Sequence, residues 1–212
     1  MSNEPPSERQ RLIDGGDAAL AEIFLEYRER LERIVAFRLD PRIQGRVDPA
    51  DILQEAYLEI ARRYREFIET PTVSFFVWMR QRTLQTMIDI HREHFREKRD
   101  ANREIRFAAQ PTSHATSLSI ARFLLDEVTS PSQAAVDAEE SQRLQSALES
   151  MQETDREVLA LRHFEHLSNL QVAEILGLSP TAASNRYIRA AARLSEIIAS
   201  LHPSLAGRIK GK

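Results

Sequence analysis

Residues 168–193 read SNLQVAEILGLSPTAASNRYIRAAAR, and the rest of the chain is best understood from this stretch outward. Ser168 stands three positions before Gln171, the spacing of a capping box in which each side chain satisfies the other residue's backbone N–H. Val172, Ala173, Ile175 and Leu176 follow as a short apolar run. Gly177 then sits where a helix ends in a left-handed residue. Ser179-Pro180 opens a second helix, with serine as the cap and proline at the first helical position, where its missing N–H costs nothing. Two capped helices around a turn of Gly177 and Leu178 make a helix-turn-helix. Ala173 is small where the two helices must cross, and Leu178 is placed to plug the core between them.

Such a motif puts the N-terminal end of its second helix into the major groove of DNA. The residues predicted to be exposed there are Thr181, Ala182, Ser184, Asn185, Arg186 and Arg189. Asparagine can read adenine, arginine can read guanine, and alanine methyls can touch thymine methyls. Serine and arginine serve equally well on phosphate, which positions a protein without specifying sequence. A plain helical hairpin with a glycine turn is the competing reading of the motif alone.

Helical periodicity continues on both sides. Upstream, Thr154-Asp155-Arg156-Glu157 has the spacing of another capping box, and residues 133–151 form a further helical pattern. Near the N-terminus, a turn at Gly15-Gly16 precedes Asp17, a candidate cap. Leu20, Ile23, Phe24, Tyr27, Leu31, Ile34 and Val35 then fall on one stripe that Pro41 and Gly45 end. Asp48 caps a second helix with Pro49 at its first position and Asp51 in its first turn, where the helix dipole favours an anion. Its apolar face is Ile52, Ala56, Tyr57, Ile60, Tyr64 and Phe67, and Pro71 stops it. A third pattern covers residues 74–99. Between 101 and 133 the periodicity fades into loop compositions, Gln110–His114 and Thr129–Ser132, around one short helix at 119–128. The expectation is an all-α chain with an N-terminal domain at 1–100, a linker at 101–133, a helix-turn-helix domain at 134–204 and a basic tail at 205–212.

Composition agrees. Hydrophobic residues make up 42% and charged residues 29%, enough apolar surface for packed cores. With no cysteine, disulfides, thiolate catalysis and cysteine-held metals are excluded. The polar start MSNEPPSERQ is not a secretory signal, and no run of about 18 apolar residues offers a membrane span, so a cytoplasmic protein is expected. The net charge of −3 is unusual for a freestanding DNA-binding domain. Its distribution is more telling. From Arg186 to the end Arg186, Arg189, Arg193, Arg208, Lys210 and Lys212 face Glu196 alone, and residues 80–106 are rich in arginine. The stretch 126–157 is acidic, opposed only by Arg143 and Arg156.

Two blocks of sequence together resemble the sigma-70 family of transcription initiation factors. Arg156-Glu157-Val158-Leu159-Ala160-Leu161-Arg162, the helix-turn-helix and the run Asn185–Leu194 look like region 4. Asp48-Pro49-Ala50-Asp51-Ile52-Leu53-Gln54-Glu55-Ala56-Tyr57-Leu58 resembles region 2.2. Phe76-Val77-Trp78-Met79, followed by Met87–Arg92, resembles regions 2.3 and 2.4. The layout is similar to the two-domain, extracytoplasmic-function (group 4) members. The resemblance implies that Asp51, Gln54 and Glu55 dock on the clamp of the largest subunit of core RNA polymerase. It implies that Trp78, Arg80, Arg82, Gln85, Asp89, His91 and Arg92 bind and open the minus-10 element, where unpaired bases need stacking surfaces and the backbone needs cations. Region 4 would read the minus-35 element of promoter DNA and rest on the flap of the second-largest subunit. An anti-sigma factor is a further partner for which the family leaves room. Pro180-Thr181-Ala182-Ala183 departs from the more usual Glu-Gly-Thr-Val, and Ser184 replaces a frequent lysine, which lowers charge on the recognition helix.

Other chemistry finds little support. His91 and His94 lie three residues apart, not four as in the zinc motif of metalloproteases, and no third ligand accompanies them, so no metal or other cofactor is expected. No glycine-rich phosphate loop or nucleophile elbow is present, and an enzyme is not expected. The alternative function is a stand-alone helix-turn-helix transcriptional regulator, which would bind duplex DNA by itself as a symmetric dimer.

Overall fold

The computed structural model describes residues 7–39, 47–97, 113–126 and 134–201. Every regular element among them is helical. The chain divides into two units, Met1–Ile105 and Arg106–Lys212, each with its own core.

The first unit packs three helices, α1 (Glu8–Arg38), α2 (Pro49–Glu69) and α3 (Phe75–Glu97). The α1 stripe of Leu20, Ile23, Leu31, Ile34 and Val35 is buried, as are Ile52, Ala56 and Ile60 of α2 and Phe75, Phe76 and Met79 of α3. Asp48 caps α2 as expected, accepting from the Ala50 N–H at 2.8 Å, with Pro49 opening the helix. Pro41 and Gly45 lie outside the described residues.

Helical structure begins earlier than the sequence pattern suggested. Ser7 caps α1, accepting from the Gln10 N–H. The helix is broken at Gly16, whose φ of 55° and ψ of −133° are open only to glycine. Arg11 grips Glu26 through two hydrogen bonds of 3.1 and 2.7 Å. Fifteen residues of straight helix would hold these groups roughly 22 Å apart, so the segment before Gly16 folds back along the segment after it. Arg9 donates to the Ile68 carbonyl at 3.0 and 2.9 Å, satisfying an orphan acceptor in the last turn of α2. Asp17 does not cap the helix after the break. Its carboxylate accepts from the Tyr64 hydroxyl at 2.6 Å and ties α1 to α2.

The second unit comprises α4 (Ser113–Asp126), α5 (Ala134–Glu149), α6 (Glu153–Leu159), α7 (Asn169–Leu176) and α8 (Pro180–Leu201), with α6 running on as a π-helical turn, Ala160–Phe164. α4 starts inside a stretch read as loop and is longer than the short helix expected. It is not a bare connector: Ile120, Ala121 and Leu124 are buried, Phe123 meets Phe164 edge-on at 5.1 Å, and Thr116 donates to Glu157 at 3.0 Å. The rest of the stretch read as linker (101–112 and 127–133) and the basic tail lie outside the described residues.

The capping box at Thr154 does not form. α6 begins at Glu153 after Gln152, and no side chain caps it. The reason is Arg156, which is buried and turned back toward the end of α5. Its Nη1 donates to the carbonyls of Leu148 and Glu149 at 3.1 Å and also to that of Met151. The Leu148 carbonyl also accepts from the Met151 N–H at 3.0 Å, whereas those of Glu149 and Met151 are acceptors of the kind a helix end leaves without an intrahelical partner. Arg156→Ala is expected to destabilise the second unit by about 3 kcal/mol, because charge-assisted bonds are lost and buried carbonyls are left unpaired. Thermal unfolding of the wild type and the variant measures this, with a loss well under 1 kcal/mol counting against the capping role.

Tyr27 in α1 donates to Glu8 and packs against the Phe76 ring at 4.8 Å. Burial, then the bond to Glu8, pushes its phenol up to about 12. The folded state therefore holds this proton more tightly than the unfolded chain, whose tyrosine titrates near ~10. The corresponding stabilisation is complete below ~10 and is lost as pH rises toward about 12. Tyrosinate absorbance should show a late step that Tyr27→Phe removes.

Candidate nucleic-acid interface

The helix-turn-helix of α7 and α8 forms as its capping residues dictate. Ser168 accepts from the Gln171 N–H at 3.2 Å, and the Gln171 side chain accepts from the Ser168 N–H at 3.0 Å. Gly177 takes the left-handed conformation at φ 63°, ψ 33°, and the Leu178 N–H reaches back to the Ala173 carbonyl at 3.0 Å. Ser179 caps α8, accepting from the Ala182 N–H at 3.1 Å. Asn169 donates to the Pro180 carbonyl at 2.7 Å, linking the start of one helix to the start of the other. Ala173 and Ala183 are buried where α7 and α8 pack, and Leu178 is half-buried.

This frame presents Thr181, Ala182, Ser184, Asn185 and Arg189 to solvent on the first turns of α8. Ala182, Asn185, Arg186 and Arg189, with Leu178 and Ile188, line a concavity of about 560 Å³. Arg186 differs from its neighbours. Its Nη1 lies 2.7 Å from Asp155 Oδ1 and 3.4 Å from Gln152 Oε1, and the Arg186 and Asp155 side chains are only 26% and 24% exposed. The sequence pattern did not reveal this pair, because its members stand 31 residues apart.

In the first unit, Asp51, Gln54 and Glu55 are all exposed on α2, while Ile52 is buried and Tyr57 packs its ring 4.9 Å from Phe24. Gln54 borders a shallow groove of about 560 Å³ in which Leu25 and Leu58 stand exposed at 65% and 48%. These two leucines were missed, although each falls off the apolar stripe of its own helix, and that departure was visible in the sequence.

The α3 residues divide. Arg82, Gln85 and Asp89 line a groove of about 640 Å³ between α2 and α3, together with Glu55. Gln85 donates to both oxygens of Asp89 at 3.1 Å, and Arg92 approaches the same carboxylate at 3.4 Å. Trp78 is half-buried, stacked near-parallel on Phe75 at 5.7 Å and tilted against Phe67 at 5.6 Å, with the Arg82 guanidinium 5.8 Å from its ring. Arg80 and His91 are buried, at 4% and 5% exposure, so neither offers its side chain to a ligand in this conformation. Their positions on α3 turn them inward beside Met79 and Met87, which the helical stripe carries into the core. Of the His91–His94 pair, the His94 side chain lies outside the described residues. Among the described residues no group of three or more metal-ligating side chains converges, and no helix is long and apolar enough to cross a membrane.

Residues 141–194 match the family model described as sigma-70, region 4. A relative from Xanthomonas campestris pv. campestris, "Probable RNA polymerase sigma factor RfaY", is 32% identical over 143 residues, which make up 67% of this chain and 32% of that protein. The match thus spans about a third of the relative's length. The solved structure of CnrH in complex with the cytosolic domain of CnrY aligns over 91% of this chain and 96% of that one, at 20% identity and a TM-score of 0.49. The region 4 match lies on the helix-turn-helix built by α7 and α8, so this part of the chain is similar to region 4 of the sigma-70 family of RNA polymerase sigma factors.

Proposed function

We propose that the chain is a two-domain sigma factor of the extracytoplasmic-function (group 4) type. It binds core RNA polymerase, reads promoter elements near minus-35 and minus-10 and promotes strand opening. The observation that carries this reading is a capped helix-turn-helix, with an exposed recognition face, on the same chain as an α2 that exposes Asp51, Gln54 and Glu55. An acidic, amide-bearing helix face suits an arginine-bearing surface on the polymerase clamp. The groove that brings Glu55 beside Arg82, Gln85 and Asp89 supports a neighbouring DNA contact, with Arg82 and Arg92 supplying cations and Trp78 an aromatic surface. Arg80 and His91 act within the core of the domain in this proposal. Two modest DNA contacts joined on one polymerase act at high effective concentration, so a chain of net charge −3 can still select promoters.

Pull-down with sigma-free core polymerase tests the docking face. The wild type is expected to form a stable complex, and the double variant Asp51→Arg, Glu55→Arg to lose at least about tenfold in affinity while keeping its helical content. A wild type that ignores core polymerase but binds duplex DNA alone as a dimer would instead identify a stand-alone regulator. In the holoenzyme, Arg189→Ala should weaken binding of the upstream element without changing its sequence preference, and lower the salt slope by about one. An unchanged slope would remove Arg189 from the phosphate contacts.

A further inference from the structure

The geometry points to Asp155 as a specificity-determining residue: it braces the Arg186 guanidinium so that the outer edge of that group reads one guanine of the upstream element. This inference rests on the sigma-factor reading. Asp155 lies in the first turn of α6, outside the helix-turn-helix, and reaches across to the second turn of α8. Together Asp155 and Gln152 take up the Nη1 corner of Arg186. Its Nη2 and Nε make no hydrogen bond to the described residues, and the side chain helps line the concavity with Ala182, Asn185 and Arg189. Two parallel N–H groups on a planar guanidinium match the O6 and N7 acceptors of guanine in the major groove.

Two physical arguments favour a base over a phosphate as the target. Asp155 neutralises Arg186, so the pair has little net charge to offer a phosphate, but the direction of the remaining N–H groups is retained. Arginine also gives up considerable side-chain freedom when it reads a base. A carboxylate from a second helix imposes that restriction before DNA arrives, which makes recognition less costly and more selective. Arg193, by contrast, pairs among the described residues only with Glu196 on its own helix, between side chains that are more than half exposed, a contact that does not come from a second helix.

The test uses holoenzyme reconstituted from sigma-free core polymerase and the full chain, selecting from duplexes randomised across the upstream element. Affinities for each base at each selected position are then compared for wild type, D155A, the near-isosteric D155N, D155E, R186A and D155A/R186A. The wild type should prefer guanine at one position by roughly tenfold to a hundredfold. R186A should abolish that preference, and D155A and D155N should remove most of it while leaving other positions and the minus-10 element unchanged. The double variant should be no worse than R186A, and D155E should recover part of the preference. Binding that weakens equally for every base, or tightens with the guanine preference intact, would overturn the brace. So would selection that D155N leaves untouched. A holoenzyme that selects no upstream sequence would overturn the sigma-factor reading itself.

Discussion

The second unit depends on one buried cation. Arg156 closes the end of α5 by donating to the carbonyls of Leu148, Glu149 and Met151, and this fixes where α6 begins and how it leaves the turn. The two neighbours of Arg156 then serve different elements. Asp155 reaches α8 through Arg186, and Glu157 accepts from Thr116 of α4. Three consecutive residues of α6 therefore set three of the four helices around it. The α7–α8 pair is secured separately by its own caps and by the bond from Asn169 to Pro180. A recognition helix can be aimed only as well as its supporting shell is held, and here that shell is anchored through a charge kept inside the fold.

The first unit solves a similar problem at Gly16. A backbone conformation closed to other residues lets the first helical segment fold back, and arginine side chains hold it there: Arg11 on Glu26, Arg9 on the last turn of α2. The Tyr64–Asp17 bond adds a link between α1 and α2 immediately after the break. These contacts sit at the edge of the three-helix core and leave the exposed carboxylates of α2 unencumbered.

Charge is distributed according to use. The proposed docking residues of α2 are exposed acids and an amide, whereas the arginines of the second unit range from buried (Arg156) through paired with Asp155 (Arg186) to exposed (Arg189). In the proposed mechanism that gradation separates structure, sequence reading and phosphate contact among residues of one type. Arg80 and His91 make the same point in the first unit. A basic side chain on a helix beside a DNA-binding motif can belong to the core, and periodicity alone does not say which it is.

Local chemistry was sufficient to read much of this protein. Ser168, Gln171, Gly177, Ser179 and Pro180 define the helix-turn-helix through bonds within a few residues, and Asp48-Pro49 start α2 for the same reason. The apolar stripes of α1 and α2 gave the all-α class, because burial of a helical face repeats every three or four residues. What the sequence left open depends on partners far along the chain. Thr154 has the spacing of a capping box, but Arg156 and the end of α5 decide where α6 starts. Asp17 could cap a helix, but Tyr64, 47 positions away, takes its carboxylate. Arg186 reads as a free recognition residue until Asp155 is seen beside it. Caps and periodicity act over one or two turns and are written in the sequence. Which long polar side chain meets which is settled only when the helices pack, since that choice is governed by distance in space.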